Sequence, residues 1–207
     1  MAPKNKFTRE EMVSAAMRVV QRSGVTALTA RAVADELGVS TQPIFTCFGT
    51  MDELKHDVRA AAEKVYQAYV AEGLKNRVPF FGFGMQYIRF AREERELYRL
   101  LFLSQSGGAI EAMEHSKQII LDSLITIYHM NKAEATRLYR DMWLVVNSLA
   151  ALIVTDSCPY TDEEIGKIMT GFCISLSKAI KEIPGFVDYS FDRDSIFNGI
   201  IDGKADK

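Results

Sequence analysis

Apolar residues recur along the chain at helical spacing, and capping residues and glycines cut them into segments. Thr8-Arg9-Glu10-Glu11 has the form of a capping box, with Thr8 as N-cap and Glu11 reaching back. The helix it opens sets Met12, Ala16, Val19 and Val20 on one face and ends at Gly24. Thr29 is placed to cap a short second helix that buries Val33 and Leu37 and stops at Gly38, with Val39 in the turn. Ser40 is placed to cap a third helix, which buries Ile44 and Phe48 and stops at Gly49. Thr50-Met51-Asp52-Glu53 reads as another capping box and predicts a longer fourth helix through Leu54, Val58, Val65 and Tyr69.

Beyond Lys75 the pattern loosens until Pro79, which suits the first turn of a new helix. A short helix from Glu96 to Leu103, a loop at Gly107-Gly108 and a helix from Ile110 to Tyr128 follow. Asn131 fits the cap of a helix running to about Thr155, and Cys158-Pro159 is a break. Thr161-Asp162-Glu163-Glu164 is a further capping box, and its helix carries Ile165, Met169, Phe172, Leu176, Ala179 and Ile183 up to Pro184-Gly185. The tail from Asp188 onward has room for one short helix. No sustained alternation of apolar and polar residues appears, so the expected fold class is all-α.

Composition narrows the function. The chain has 207 residues, 48% of them hydrophobic and 25% charged, with a net charge of −2. That excludes a globally basic nucleic-acid coat. Residues 1–50 nevertheless carry six Lys or Arg against four Asp or Glu, so the front of the chain is positive and the rest acidic. Cys47, Cys158 and Cys173 lie far apart, which argues against a disulfide framework and for a reducing, cytoplasmic setting. Residues 1–6 lack the apolar core of a signal peptide. The longest apolar stretch, Met142 to Val154, has 13 residues, short of the ~20 a membrane helix needs.

Residues 29–48 hold the most informative geometry: two short helices joined by the turn Leu37-Gly38-Val39-Ser40. With Val33, Leu37, Val39, Ile44 and Phe48 packed inward, the third helix exposes Thr41, Gln42, Phe45 and Thr46. Hydroxyl, amide and aromatic groups of this kind meet phosphates, base edges and thymine methyls. Spacing alone does not separate this from a plain, well-capped helical hairpin.

The run from Leu28 to Ser40, LTARAVADELGVS, and its continuation from Thr41 to Leu54, TQPIFTCFGTMDEL, resemble the signature of the tetracycline-repressor (TetR) family over roughly residues 8–66. The resemblance implies an N-terminal three-helix helix-turn-helix domain that binds operator DNA, and a C-terminal helical domain that binds a small apolar or amphipathic effector and forms a homodimer. On that basis residues 1–50 are the DNA-binding domain, 51–75 a connecting helix and 76–207 the effector and dimerisation domain. Ser40 to Phe48 becomes the recognition helix, and Thr29 and the start of the fourth helix phosphate contacts. The expected DNA-binding residues are Thr29, Arg31, Ser40, Thr41, Gln42, Pro43, Phe45, Thr46 and Lys55. The family often has Tyr where this chain has Phe45, and Lys where it has Met51; each change removes a backbone contact. Lys55 can partly substitute, and Lys4, Lys6 and Arg9 can add contacts from the N-terminal arm.

Farther along, the match is looser. The residues Phe80, Phe83, Tyr87, Phe90, Tyr98, Phe102, Tyr128 and Trp143, with Met85 and Met113, exceed what a small bundle needs. They read either as core or as an effector pocket. The pocket expectation names Phe83, Tyr87, Phe90, Phe102, Met113, Tyr128, Trp143 and Asn147. Leu138, Met142, Val145, Leu149 and Leu152 form one apolar stripe on the helix ending near Thr155, and Tyr139, Trp143, Val146, Ala150 and Ile153 a second. With the stripe of Ile165 to Ile183 they suit a four-helix interface between two copies.

Other chemistry is weakly represented. His56, His115 and His129 show no metal-ligand spacing. Gly82-Phe83-Gly84 lacks the third glycine of a dinucleotide fingerprint, and no nucleophile elbow occurs. No metal, cofactor or catalytic group is expected. The rival reading is a helical small-molecule carrier or enzyme with an incidental helix-turn-helix. Cys47 reads as a passive small residue.

Overall fold

The computed structural model describes residues 7–103 and 108–201. Ten α-helices and one short 3-10 turn, Val25–Ala27, account for most of them, and no strand occurs among the described residues. The helices are α1 (Arg9–Ser23), α2 (Ala30–Leu37), α3 (Gln42–Phe48), α4 (Met51–Leu74), α5 (Pro79–Glu93), α6 (Arg95–Phe102), α7 (Gly108–Tyr128), α8 (Lys132–Val154), α9 (Asp162–Glu182) and α10 (Arg193–Ile201). Lys4, Lys6 and Gly107 lie outside the described residues, and Gly108 begins α7 instead of a loop. No helix among the described residues is long and apolar enough to cross a membrane.

The chain divides into two compact units, one of Met1–Ser116 with Val146–Pro159 and one of Lys117–Val145 with Tyr160–Lys207. In the first unit, α1 packs against α2, α4 and α6 through Met12, Ala15, Ala16, Val19 and Val20. The capping box at Thr8 is complete: its hydroxyl accepts from the Glu11 amide at 3.1 Å and its amide donates to the Glu11 carboxylate at 2.7 Å. Helix α4 packs along α5. A Cβ added to Gly73 would stand 2.7 Å from the Gly82 carbonyl oxygen, and one added to Gly82 would collide with the Gly73 carbonyl. Only two glycines permit that crossing.

Beside it, Tyr66, Tyr87, Phe90, Tyr98 and Phe102 fill the space between α4, α5 and α6 with one another, at centroid distances of 4.9–6.5 Å. Edge-to-face contacts of this kind add to the stabilisation from burial. The Tyr87 and Tyr98 hydroxyls both donate to Asn147 Oδ1, at 2.9 and 3.0 Å. Burial pushes the Tyr98 phenol up to about 12, partly offset by its contact with Tyr87. Arg59 on α4 donates to the terminal carbonyls of α6, Leu100 at 2.9 Å and Leu101 at 3.2 Å, closing that helix end.

In the second unit, Ile120, Leu121, Leu124, Leu138, Tyr139, Met142, Trp143, Ile165 and Met169 are buried. Asn131 caps α8 by accepting from the Ala133 and Glu134 amides at 2.9 and 3.0 Å. Arg137 is buried, paired with Asp141, and donates to the Phe186 carbonyl at 2.9 Å while its guanidinium lies 3.7 Å from the Tyr189 ring centroid. That one side chain ties the segment after α9 to α8.

Four local expectations are corrected. Leu37 and Val39, expected to pack inward, are half-buried. Ser40 does not cap α3: the N-cap is Thr41, whose αR backbone (φ −72°, ψ −18°) keeps its hydroxyl away from the next amides. Thr50 accepts from the Glu53 amide at 3.3 Å, but the reciprocal bond is absent because the Thr50 amide already donates to the Phe48 carbonyl. The buried stripe of α4 runs Leu54, Val58, Ala62, Tyr66 and Val70, leaving Val65 and Tyr69 half-buried.

Candidate nucleic-acid interface

Helix α3 is held by its apolar side. Ile44 and Phe48 are buried, and the turn before it is set by Gly38, which adopts the left-handed conformation (φ 66°, ψ 40°) that suits glycine. The Val39 amide closes the end of α2 by donating to the Ala34 carbonyl at 3.0 Å. Thr29 caps α2 by accepting from the Ala32 amide at 3.1 Å.

With the inner face so fixed, Gln42, Phe45 and Thr46 are exposed, and Thr41, Pro43 and Cys47 are half-buried. The Phe45 ring stands 47% exposed. Pro43 falls in the first turn, where its missing N–H breaks no helical bond. The Thr46 hydroxyl donates to the Gln42 carbonyl at 2.9 Å, so its proton is committed within the helix. No residue from Gly38 to Thr50 is charged.

The cations of the domain divide into those engaged within it and those facing outward. Arg18 and Arg22 both reach Glu36 on α2, at 2.8 and 3.1 Å. Their hydrogen bonds hold the Glu36 carboxyl below the usual carboxylate range. Arg9, expected to serve the arm, is the first residue of α1 and is engaged three ways. It donates to Asp57 on α4 at 2.7 Å and to the Cys47 carbonyl of α3 at 3.3 Å, and its guanidinium lies 4.4 Å from the Phe48 ring centroid. The Arg9 hydrogen bond lowers the Asp57 carboxyl. Nothing in the local sequence signals this contact, because its partners lie 38 and 48 residues away.

Thr29, Arg31 and Ser40 are exposed, and Arg31 has no ion pair among the described residues. Lys55 sits one turn into α4 and pairs with exposed Asp52 at 3.2 Å. Such a pair is weak enough to be exchanged for a phosphate. Met51 is half-buried at the first position of α4. Helix α3 offers amide, hydroxyl and aromatic groups, and the two helices packed against it each carry an exposed cation, Arg31 on α2 and Lys55 on α4.

Of the other expected site residues, Phe83, Tyr87, Phe90, Phe102, Met113 and Asn147 belong to the first unit, whereas Tyr128 and Trp143 belong to the second. Tyr87, Phe90 and Phe102 are in mutual contact as core rings.

Residues 12–58 match the family model of bacterial regulatory proteins of the tetR family. No curated protein matches the sequence. Among solved structures, the chain resembles a member of the TetR family from Streptomyces coelicolor A3, with a TM-score of 0.59 and 19% identity over 82% of this chain and 98% of that one. It also resembles a TetR-like transcriptional regulator from Rhodococcus sp. RHA1, with a TM-score of 0.61 and 12% identity over 84% of this chain and 97% of that one. A third is the multidrug binding protein EbrR complexed with imidazole, with a TM-score of 0.55 and 19% identity over 79% of this chain and 93% of that one. The chain thus has the fold of the TetR-family regulators, and its helix-turn-helix segment, residues 12–58, is of the TetR family.

Proposed function

We propose that this protein is a sequence-specific transcriptional regulator, a homodimeric repressor that leaves its operator when a small apolar or amphipathic effector binds. The observation that carries the reading is α3: a short helix pinned from beneath by Ile44 and Phe48, presenting Gln42, Phe45 and Thr46 outward. That arrangement suits the docking of a recognition helix in a major groove.

The division of labour follows the chain: residues 1–50 hold DNA, 51–75 connect, and 76–207 bind the effector and the second subunit. EbrR, a multidrug binding protein of similar fold, is consistent with such an effector. An effector that favours one dimer geometry over another would move the two recognition helices out of register with successive grooves.

The test is selection of duplexes from a random library, followed by binding of the enriched site by the parent and by Gln42→Ala/Thr46→Ala. The double variant is expected to keep the fold and lose on the order of tenfold in affinity. Equal affinity for the enriched site would remove α3 from the recognition role.

A further inference from the structure

The outward chemistry of α3 restricts which base pairs it can read. Guanine shows two acceptors in the major groove, N7 and O6, and its usual readers are Arg and Lys. Cytosine shows a donor, usually read by a carboxylate. Neither kind of side chain occurs anywhere from Gly38 to Thr50. Within α3 itself, the Thr46 hydroxyl, the exposed side-chain donor besides the Gln42 amide, already gives its proton to the Gln42 carbonyl at 2.9 Å. What it still offers is a methyl group and an accepting oxygen.

Besides that accepting oxygen, which an amino group on either adenine or cytosine can satisfy, two chemistries are left. The exposed Gln42 amide both donates and accepts, which matches the N6–H and N7 pair of adenine. Phe45, at 47% exposure, is the largest apolar group on the face, which also carries the exposed Thr46. In a major groove the apolar feature such a surface can cover is the thymine C5-methyl.

We propose, on the footing of the DNA-binding reading above, that the base pairs beneath α3 in each operator half-site are A·T pairs. Gln42 reads an adenine edge, and Phe45 with the Thr46 methyl reads thymine methyl groups. Phe45 is then a specificity-determining residue, and the absence of a phenolic hydroxyl there is compensated by contact with the bases.

The experiment uses the full chain and a site enriched from a random duplex library. Each thymine of that site is replaced in turn by deoxyuridine, which removes only the methyl, and each adenine by 7-deazaadenine, which removes only N7. The expected result is a half-site with consecutive A·T pairs in which particular thymines lose about fourfold in affinity as deoxyuridine. In Phe45→Ala, which removes an exposed ring and leaves Ile44 and Phe48 in place, those substitutions become silent at the thymines that Phe45 covers. In Gln42→Ala, 7-deazaadenine likewise loses its effect at one position. Enriched half-sites with G·C pairs at every position sensitive to Phe45→Ala or Gln42→Ala would overturn this inference alone. So would deoxyuridine losses of equal size in the parent and in Phe45→Ala. Failure of the library to yield any enriched duplex would overturn the DNA-binding reading and this inference with it.

Discussion

Arg9 shows how a charge that reads as a DNA contact can instead set the geometry of the contact surface. Its bonds to Asp57 and the Cys47 carbonyl, and its stacking on Phe48, join α1, α3 and α4 at one point. Arg9→Gln removes the charge and the stacking and frees α3 to tilt. Specific affinity is expected to fall by roughly tenfold, while binding to random duplexes and the slope of log affinity against log salt stay at parent values. A slope reduced by about one unit per half-site would instead make Arg9 a phosphate contact. Met51 makes the opposite case. Half-buried at the start of α4, it is neutral where a lysine would release a condensed counterion. Met51→Lys is expected to tighten binding to all duplexes and to steepen the salt dependence by about one unit per half-site. A salt slope equal to that of the parent would place residue 51 away from the phosphates.

At the scale of elements, the crossing of α4 and α5 rests on two glycines. Gly82→Ala puts a methyl into the Gly73 carbonyl, and backbone on both sides leaves nothing flexible to yield. Such overpacking costs about 1–3 kcal/mol, so a clear fall in the thermal midpoint of unfolding is expected. An unchanged midpoint would mean that the two helices are free to separate there. This pair was illegible in the sequence. Gly82-Phe83-Gly84 drew attention only as a failed dinucleotide fingerprint, because close helix approach depends on residues nine apart on different elements. Local signals fared better. Thr8, Thr29 and Thr161 cap where the sequence places them, since a cap involves only the next three residues. Ser40 and the reciprocal bond at Thr50 failed because each turn had already committed the backbone in question, Thr41 by its αR conformation and Thr50 by its bond to Phe48. Of the expected exposed set Thr41, Gln42, Phe45 and Thr46, the last three were readable from the 3.6 period of a short helix, whereas the half-burial of Thr41 and the loss of the Thr46 proton to the helix were not.

For the molecule as a whole, the surface left by the two longest C-terminal helices bears on assembly. Within the second unit, Leu144 on α8 is 53% exposed and Phe172 on α9 is 49% exposed. Apolar groups of that size at the surface of two adjacent segments of sequence suit an isologous contact with a second copy. Two recognition helices would then meet two half-sites about one helical turn apart, and their affinities would reinforce each other through a shared dimer. Sedimentation at micromolar concentration is expected to report about twice the 23.3 kDa chain mass. Leu144→Arg with Phe172→Arg is expected to return the single mass, since two arginines facing their copies across the contact repel and desolvate unpaired. The same variant keeps α3 intact, so it should still bind one half-site weakly while losing the tight binding to the palindrome. A parent that sediments as a monomer and yet binds the palindrome as tightly as a dimer would remove α8 and α9 from the assembly. A double-arginine variant that remains dimeric would move the contact to another face of the molecule.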